Sequence, residues 1–243
     1  MKLDILAFGA HPDDVEISIG ATLLKYSAEG KSIGIIDLTE GELGTRGNRE
    51  QRYKESNKAS EMLGLKVRTN LNLGDGFFEV SNENKIKIIE QIRLHQPEIV
   101  LANSLSDRHP DHGNGAKLVA DACYLSGLDK IKTEHKGAPQ TKFRPRLLMH
   151  YIQDYYLTPD FILDVSSHGA EKVNLVKCYS SQFYDPNSKE MDTPISGQEF
   201  FSFLEGRMLS YGRELGVKYG EGFNLLNDLY KLVASRSYFV SKR

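Results

Sequence analysis

Two rhythms of apolar residues alternate along the chain. Residues 3–10, 32–39, 67–73, 99–103, 147–153 and 161–165 form short apolar runs that read as strands, several of them apolar at consecutive positions, as in strands covered on both faces. Residues 15–29, 51–63, 84–95 and 113–125 carry apolar positions at helical spacing, with Gly30, Gly64 and Pro97 where helices stop. Strand and helix in alternation predict an α/β fold: a Rossmann-like, mostly parallel sheet with helices on both faces. Residues 130–145, rich in Lys, Thr, Gly and Pro, read as a long surface loop, a type often functional as a lid or subunit contact. From His168 the pattern gives a helix, then an irregular segment at 184–197, then a helix at 198–215. No repeat or linker divides the chain, so one domain spanning 1–243 is expected.

Composition narrows the partners. With 31 basic and 33 acidic side chains, the chain has no general attraction for nucleic acid or an anionic membrane. No apolar run approaches the roughly 20 residues that cross a bilayer. Met1-Lys2-Leu3-Asp4 leads into a strand pattern rather than a signal peptide, so a cytoplasmic location is expected. Cys123 and Cys178 are too few for a disulfide framework or thiolate zinc site and read as buried thiols.

The chemistry lies where the strands end. No G-x-G-x-x-G follows the first strand; Ala10-His11-Pro12-Asp13-Asp14 stands there instead. After the fourth strand, His109-Pro110-Asp111-His112 repeats that composition. In doubly wound sheets the loops after these strands diverge to open a crevice, which makes the two clusters halves of one site. A catalytic zinc ion takes three nitrogen or oxygen ligands and keeps a position open. His11 and Asp14, three residues apart across a strand-to-helix turn, supply two, and His112 closes the set from across the crevice. Asp13 and His109 remain as acid–base groups, with a third metal ligand as the other reading of His109. Iron or cobalt suits the same donors.

These motifs resemble those of the LmbE-like, or PIG-L, family of zinc-dependent N-acetylglucosamine deacetylases, which remove acetate from N-acetylglucosaminyl conjugates. Thr45-Arg46-Gly47 followed by Arg52, Ser181-Gln182-Phe183 and Tyr219-Gly220-Glu221-Gly222-Phe223 are similar to its bacillithiol biosynthesis branch. The resemblance implies the LmbE-like fold, Zn2+ on His11, Asp14 and His112, and Asp13 as general base. It further implies that His109, protonated and oriented by Asp111, stabilises the oxyanion. Arg52 is implied as a substrate contact, with Arg46 or Arg49 as alternatives. The substrate implied for that branch is N-acetylglucosaminyl malate, whose carboxylates Arg52 and Arg108 are available to meet. Some relatives form hexamers, so a homo-oligomer is expected on the same ground.

Plainer readings compete. Taken alone, an Asp in the first motif is a helix N-cap. The arginines of residues 45–52 can be a solvated helix start, the reading preferred for Arg49, and Tyr219 to Phe223 can be a glycine-bearing turn. His95, His135, His150 and His168 lack a partner at metal spacing and read as surface or satisfied core residues. At the level of function the rivals are a deacetylase of another N-acetylated sugar, a metal-dependent phosphoesterase and a non-catalytic sugar-binding or metal-storing protein. A free Asp13 argues against the last, because structural zinc favours four protein ligands.

Overall fold

Strand β1 (Ile5–Gly9) is buried at every position because helices cover both of its faces. Its side chains alternate: Ile5 and Ala7 join one apolar cluster with helix α1 (Asp14–Ala28), while Leu6 and Phe8 join another on the opposite face. The computed structural model describes residues 1–226; residues 227–243 of the expected 1–243 domain lie outside the described residues.

The remaining elements follow in order: β2 (Ile33–Asp37), α2 (Arg49–Leu63), β3 (Val67–Asn70), α3 (Asn82–His95), β4 (Ile99–Ala102) and α4 (Pro110–Leu125). Then come β5 (Glu134–His135), β6 (Ala138–Pro139), β7 (Leu147–Tyr151), β8 (Phe161–Asp164), α5 (Gly169–Val176), α6 (Phe200–Leu215) and β9 (Gly220–Asn224). Seven strands form one sheet in the order β3-β2-β1-β4-β7-β9-β8. The first five pair in parallel and β9 pairs antiparallel with both neighbours. The mixed sheet with helices on both faces is the Rossmann-like class read from the sequence. From β1 the chain crosses to β2 on one side, and from β4 to β7 on the other. The neighbours β1 and β4 therefore form the switch point, and the crevice opens beyond their carboxyl ends.

Three readings change. The segment 219–223 is not a turn: it enters β9, inserted between β7 and β8. The loop at 130–145 contains the two-stranded ladder β5–β6. Cys123 is buried as expected, but Cys178 is only half-buried, at the end of α5. No helix among the described residues is long and apolar enough to cross a membrane.

His150, on β7, is fully buried, and one ring nitrogen lies 2.8 Å from the Asn103 carbonyl while the other has no partner. Burial pushes its pKa down to about 4. Between the unfolded value of about 6.5 and that folded value, only the unfolded chain binds the proton, so stability falls as pH drops through this window. Below about 4 this contribution stops changing. In urea unfolding at pH 7, 5.5 and 4.5, His150→Gln should lose part of the acid-side decline of the parent protein; identical declines would refute the assignment.

Candidate metal centre

The β1–α1 turn delivers the first motif to the crevice. Asp13 occupies the N-cap position of α1, yet its side chain makes no capping bond, so the helix-cap reading is not what this carboxylate does. Its backbone sits at φ 117°, ψ −26°, a conformation that is costly for a residue other than glycine and that clusters at functional sites. Arg52, buried on α2, holds this turn: its Nη2 donates to the Pro12 carbonyl at 2.5 Å and lies 3.4 Å from Asp13 Oδ2. Gly41 makes room for that guanidinium, since a Cβ there would stand 3.1 Å from it, at φ +66°. Burial lifts Asp13 to about 7, against the pull of Arg52.

The β4–α4 loop brings the second motif opposite. Asp14 bridges the two: its Oδ1 is 3.1 Å from His112 Nε2, and its Oδ2 is 3.6 Å from His11 Nδ1. Among the described residues, two groups have ligand atoms that all lie within 4.8 Å of one another: His11, His109 and His112, and His11, Asp75 and Asp111. Each bridged imidazole is gripped from behind. His112 Nδ1 is 2.5 Å from Asp107 Oδ2, and His11 Nε2 is 2.9 Å from Asp75 Oδ1. A carboxylate behind a ligand histidine sets its tautomer and orientation and raises its basicity.

This histidine and aspartate cluster is compatible with a metal such as zinc, which takes imidazole and carboxylate donors. The surrounding carboxylates dominate the electrostatics of His11 and His112. Burial alone lowers His112, but Asp14 and Asp107 raise it to about 9. His11 is likewise drawn upward, against burial, by Asp111, Asp14 and Asp75. Burial pushes His109 down, as do the neighbouring His11 and His112.

Asp75, Asp107, Asn103 and Gln153 escaped the sequence reading. Asn103 Nδ2 and Gln153 Nε2 donate to the two oxygens of Asp14, at 3.1 and 3.2 Å, and so aim it. Both stand at carboxyl ends of strand-like runs beside the crevice, which was the available signal. Asp75 lies between Gly74 and Gly76, both at positive φ, a turn whose meaning appears only through its contact with His11.

The other site candidates divide. Asp111 accepts the Gly76 N–H at 2.7 Å through its carboxylate, which faces His11 at 3.4 Å; its backbone N–H donates to His109 Nδ1 at 3.2 Å. It thus orients His109 through the backbone rather than through its carboxylate. Arg108 lines the pocket mouth, with its Nε 2.5 Å from Asp154. Arg46 is spent on structure, donating to the Met191 and Phe183 carbonyls, and Arg49 pairs with Glu40 and Glu42 at the surface. The pocket over the histidines has a volume of about 400 Å³, and Ile195, Phe200 and Leu204 add apolar surface to its lining.

A family model described as GlcNAc-PI de-N-acetylase (PIG-L) matches residues 6–123, which include both motifs. The crystal structure of the conserved protein TT1542 from Thermus thermophilus superposes with a TM-score of 0.82 at 34% identity, covering 93% of this chain and 95% of that one. The chain belongs to the PIG-L/LmbE-like deacetylase family. Among its curated relatives, the diacetylchitobiose deacetylase of Thermococcus kodakarensis is 27% identical over 240 residues, covering 93% of this chain and 84% of that protein. The 4-oxalmesaconate hydratase of Pseudomonas putida is 25% identical over 193 residues, 73% of each. Family and site architecture together support a hydrolase of the deacetylase type acting on an N-acetylated sugar conjugate.

Proposed function

We propose that this PIG-L-family protein is a zinc-dependent N-deacetylase that removes acetate from an N-acetylglucosaminyl conjugate, with N-acetylglucosaminyl malate as its substrate. The observation that carries the reading is the convergence of His11, Asp14 and His112 beside Asp13, a carboxylate that caps no helix. His11, Asp14 and His112 would hold the zinc, which when bound supplies a Lewis acid that polarises a carbonyl and acidifies water.

The protein's own groups do the rest. Asp13, lifted to about 7 by burial, is poised near neutral pH to take a proton from the attacking water and return it to the amine as the C–N bond breaks. The Asp111 N–H occupies His109 Nδ1, so neutral His109 carries its proton on Nε2 and donates it as a hydrogen bond to the developing oxyanion. Burial favours this neutral form of His109, whereas the resemblance implies a protonated one; either form presents an Nε2–H to the oxyanion. Arg108 lines the pocket, where a malate carboxylate can replace Asp154 as its partner. The likeness of residues 45–52, 181–183 and 219–223 to the bacillithiol branch supports malate as the aglycone.

The test is acetate release by zinc-loaded protein from N-acetylglucosaminyl malate, beside free N-acetylglucosamine, a phosphate ester and an unsaturated dicarboxylate. Preference for the malate conjugate is expected. Acetate release only from another sugar would keep the reaction and overturn the aglycone; phosphate release or hydration alone would overturn the reaction. Asp107→Asn, which weakens the grip on His112, should loosen zinc about 10–100-fold in a competition titration, and unchanged affinity would remove Asp107 from that role.

A further inference from the structure

Helix α1 is broken five residues into its length, and what fills the break is an ion pair from elsewhere in the chain. Ile19 departs from helical geometry at φ −131°, ψ 23°. In an unbroken helix the Ser18 carbonyl would accept from the Thr22 N–H. Here the Ser18 carbonyl accepts from Lys172 Nζ at 2.9 Å, and the Thr22 N–H donates to Glu221 Oε2 at 2.7 Å. The two intruding side chains pair with each other at 2.7 Å. Glu221 also accepts from the Ala21 N–H at 3.2 Å and from Thr22 Oγ1 at 2.6 Å. Both are 2% exposed.

Two helical N–H groups, Ala21 and Thr22, have thus been turned to Glu221 of β9, and the Ser18 carbonyl that Thr22 would have met has been given to Lys172 of α5. The break has a glycine beside it for a reason: a Cβ on Gly20 would meet Leu175 at 2.9 Å and the Lys172 stem at 3.3 Å. Inserted side chains are an established cause of helix kinks. The piece before the break, residues 14–18, carries Asp14 and puts Ile17 and Ser18 on the pocket wall. The piece after it packs against α5 as ordinary core. Glu221 lies away from the pocket, so it has no part in contacting substrate.

We infer that Lys172 and Glu221 are positioning residues: by replacing the Ser18–Thr22 helical bond, they set the direction of the first turn of α1 and hence the aim of Asp14 toward His11 and His112. A buried pair is a poor source of stability, since apolar replacements of similar volume are often neutral or stabilising, and its best-attested use is to fix register. Here the register is that of α5 and β9 against the turn bearing Asp14. The inference rests on the metal-centre reading only for its zinc readout.

The double variant Lys172→Met/Glu221→Leu frees the Ser18 carbonyl and the Thr22 N–H to bond each other, so the helix straightens. The full-length variant should fold, show a through-hydrogen-bond coupling between the Thr22 amide and the Ser18 carbonyl in metal-free protein, and bind zinc at least about tenfold more weakly. Its kcat should fall about tenfold or more through misaimed groups while KM holds. Unchanged zinc affinity and kcat would overturn the inference, whether or not the Ser18–Thr22 bond forms. Should the double variant not fold, Thr22→Val removes one bond to Glu221 and is expected to weaken zinc about two- to fivefold, with unchanged affinity again overturning it. Ile89→Val, in the core on the opposite face, serves as the control for general destabilisation and should leave zinc affinity as it was. If the parent protein itself binds no zinc, the metal reading fails, while absence of the Ser18–Thr22 coupling in the double variant would still overturn the inference on its own.

Discussion

Asp13→Asn should keep its zinc and lower kcat by about 10²–10⁴-fold, the span associated with losing a positioned general base. The amide matches the carboxylate in shape, so the Pro12 carbonyl still receives Arg52 and the turn keeps its conformation. His11, Asp14 and His112 are untouched, and the contacts that align them come from Asp75, Asp107, Asn103 and Gln153. What disappears is a group able to accept a proton near neutral pH. Metal analysis of the purified variant should give the parent stoichiometry, and KM should change little, because the loss falls on the chemical step. Full turnover at full zinc occupancy would take Asp13 out of the base role and leave its unfavourable backbone geometry without a catalytic reason. Loss of zinc would instead mean that Asp13 is a ligand.

The site was legible in the sequence to the extent that its groups sit on strand ends. His11, Asp13, Asp14, His109 and His112 follow β1 and β4 directly, and the rule that loops at a switch point meet was enough to bring them together. Asp75 and Asp107 were not legible, because nothing in a loop acid distinguishes a solvated carboxylate from one aimed at a histidine; only the folded loops supply the 2.9 and 2.5 Å contacts. Arg52 was singled out as a substrate contact, yet it also holds the Pro12–Asp13 turn, a role that depends on how closely α2 approaches the motif. The parallel half of the sheet followed from apolar runs alternating with helices. In the antiparallel half, β8 was legible as the apolar run 161–165 but β9 was not: residues 220–224 contain two glycines and a glutamate, poor strand formers, and become β9 because β7 and β8 flank them. The glutamate that looks out of place in a strand is the one that breaks α1.

His112→Ala should abolish stoichiometric zinc binding, and with it activity. Among the described residues, its imidazole is the group from α4 that reaches Asp14, at 3.1 Å, and its removal leaves the carboxylates of Asp14 and Asp107 with no imidazole between them. Weakened alignment of a ligand costs about 10–100-fold in affinity, and loss of the ligand itself should exceed that. The consequence extends to stability. A ligand present at about 100 times its dissociation constant stabilises the native state by roughly 2.7 kcal/mol, so the parent protein should unfold at higher urea with zinc than after chelation. The variant should show no such difference. Two measurements therefore report on one residue, zinc per chain by elemental analysis and the zinc-dependent shift in unfolding midpoint. Retention of both would reassign the ligand to His109, whose ring lies 5.3 Å from that of His112, centroid to centroid, and 4.6 Å from that of His11. In that case His109→Ala, expected here to keep zinc and lose oxyanion stabilisation, would lose the metal instead.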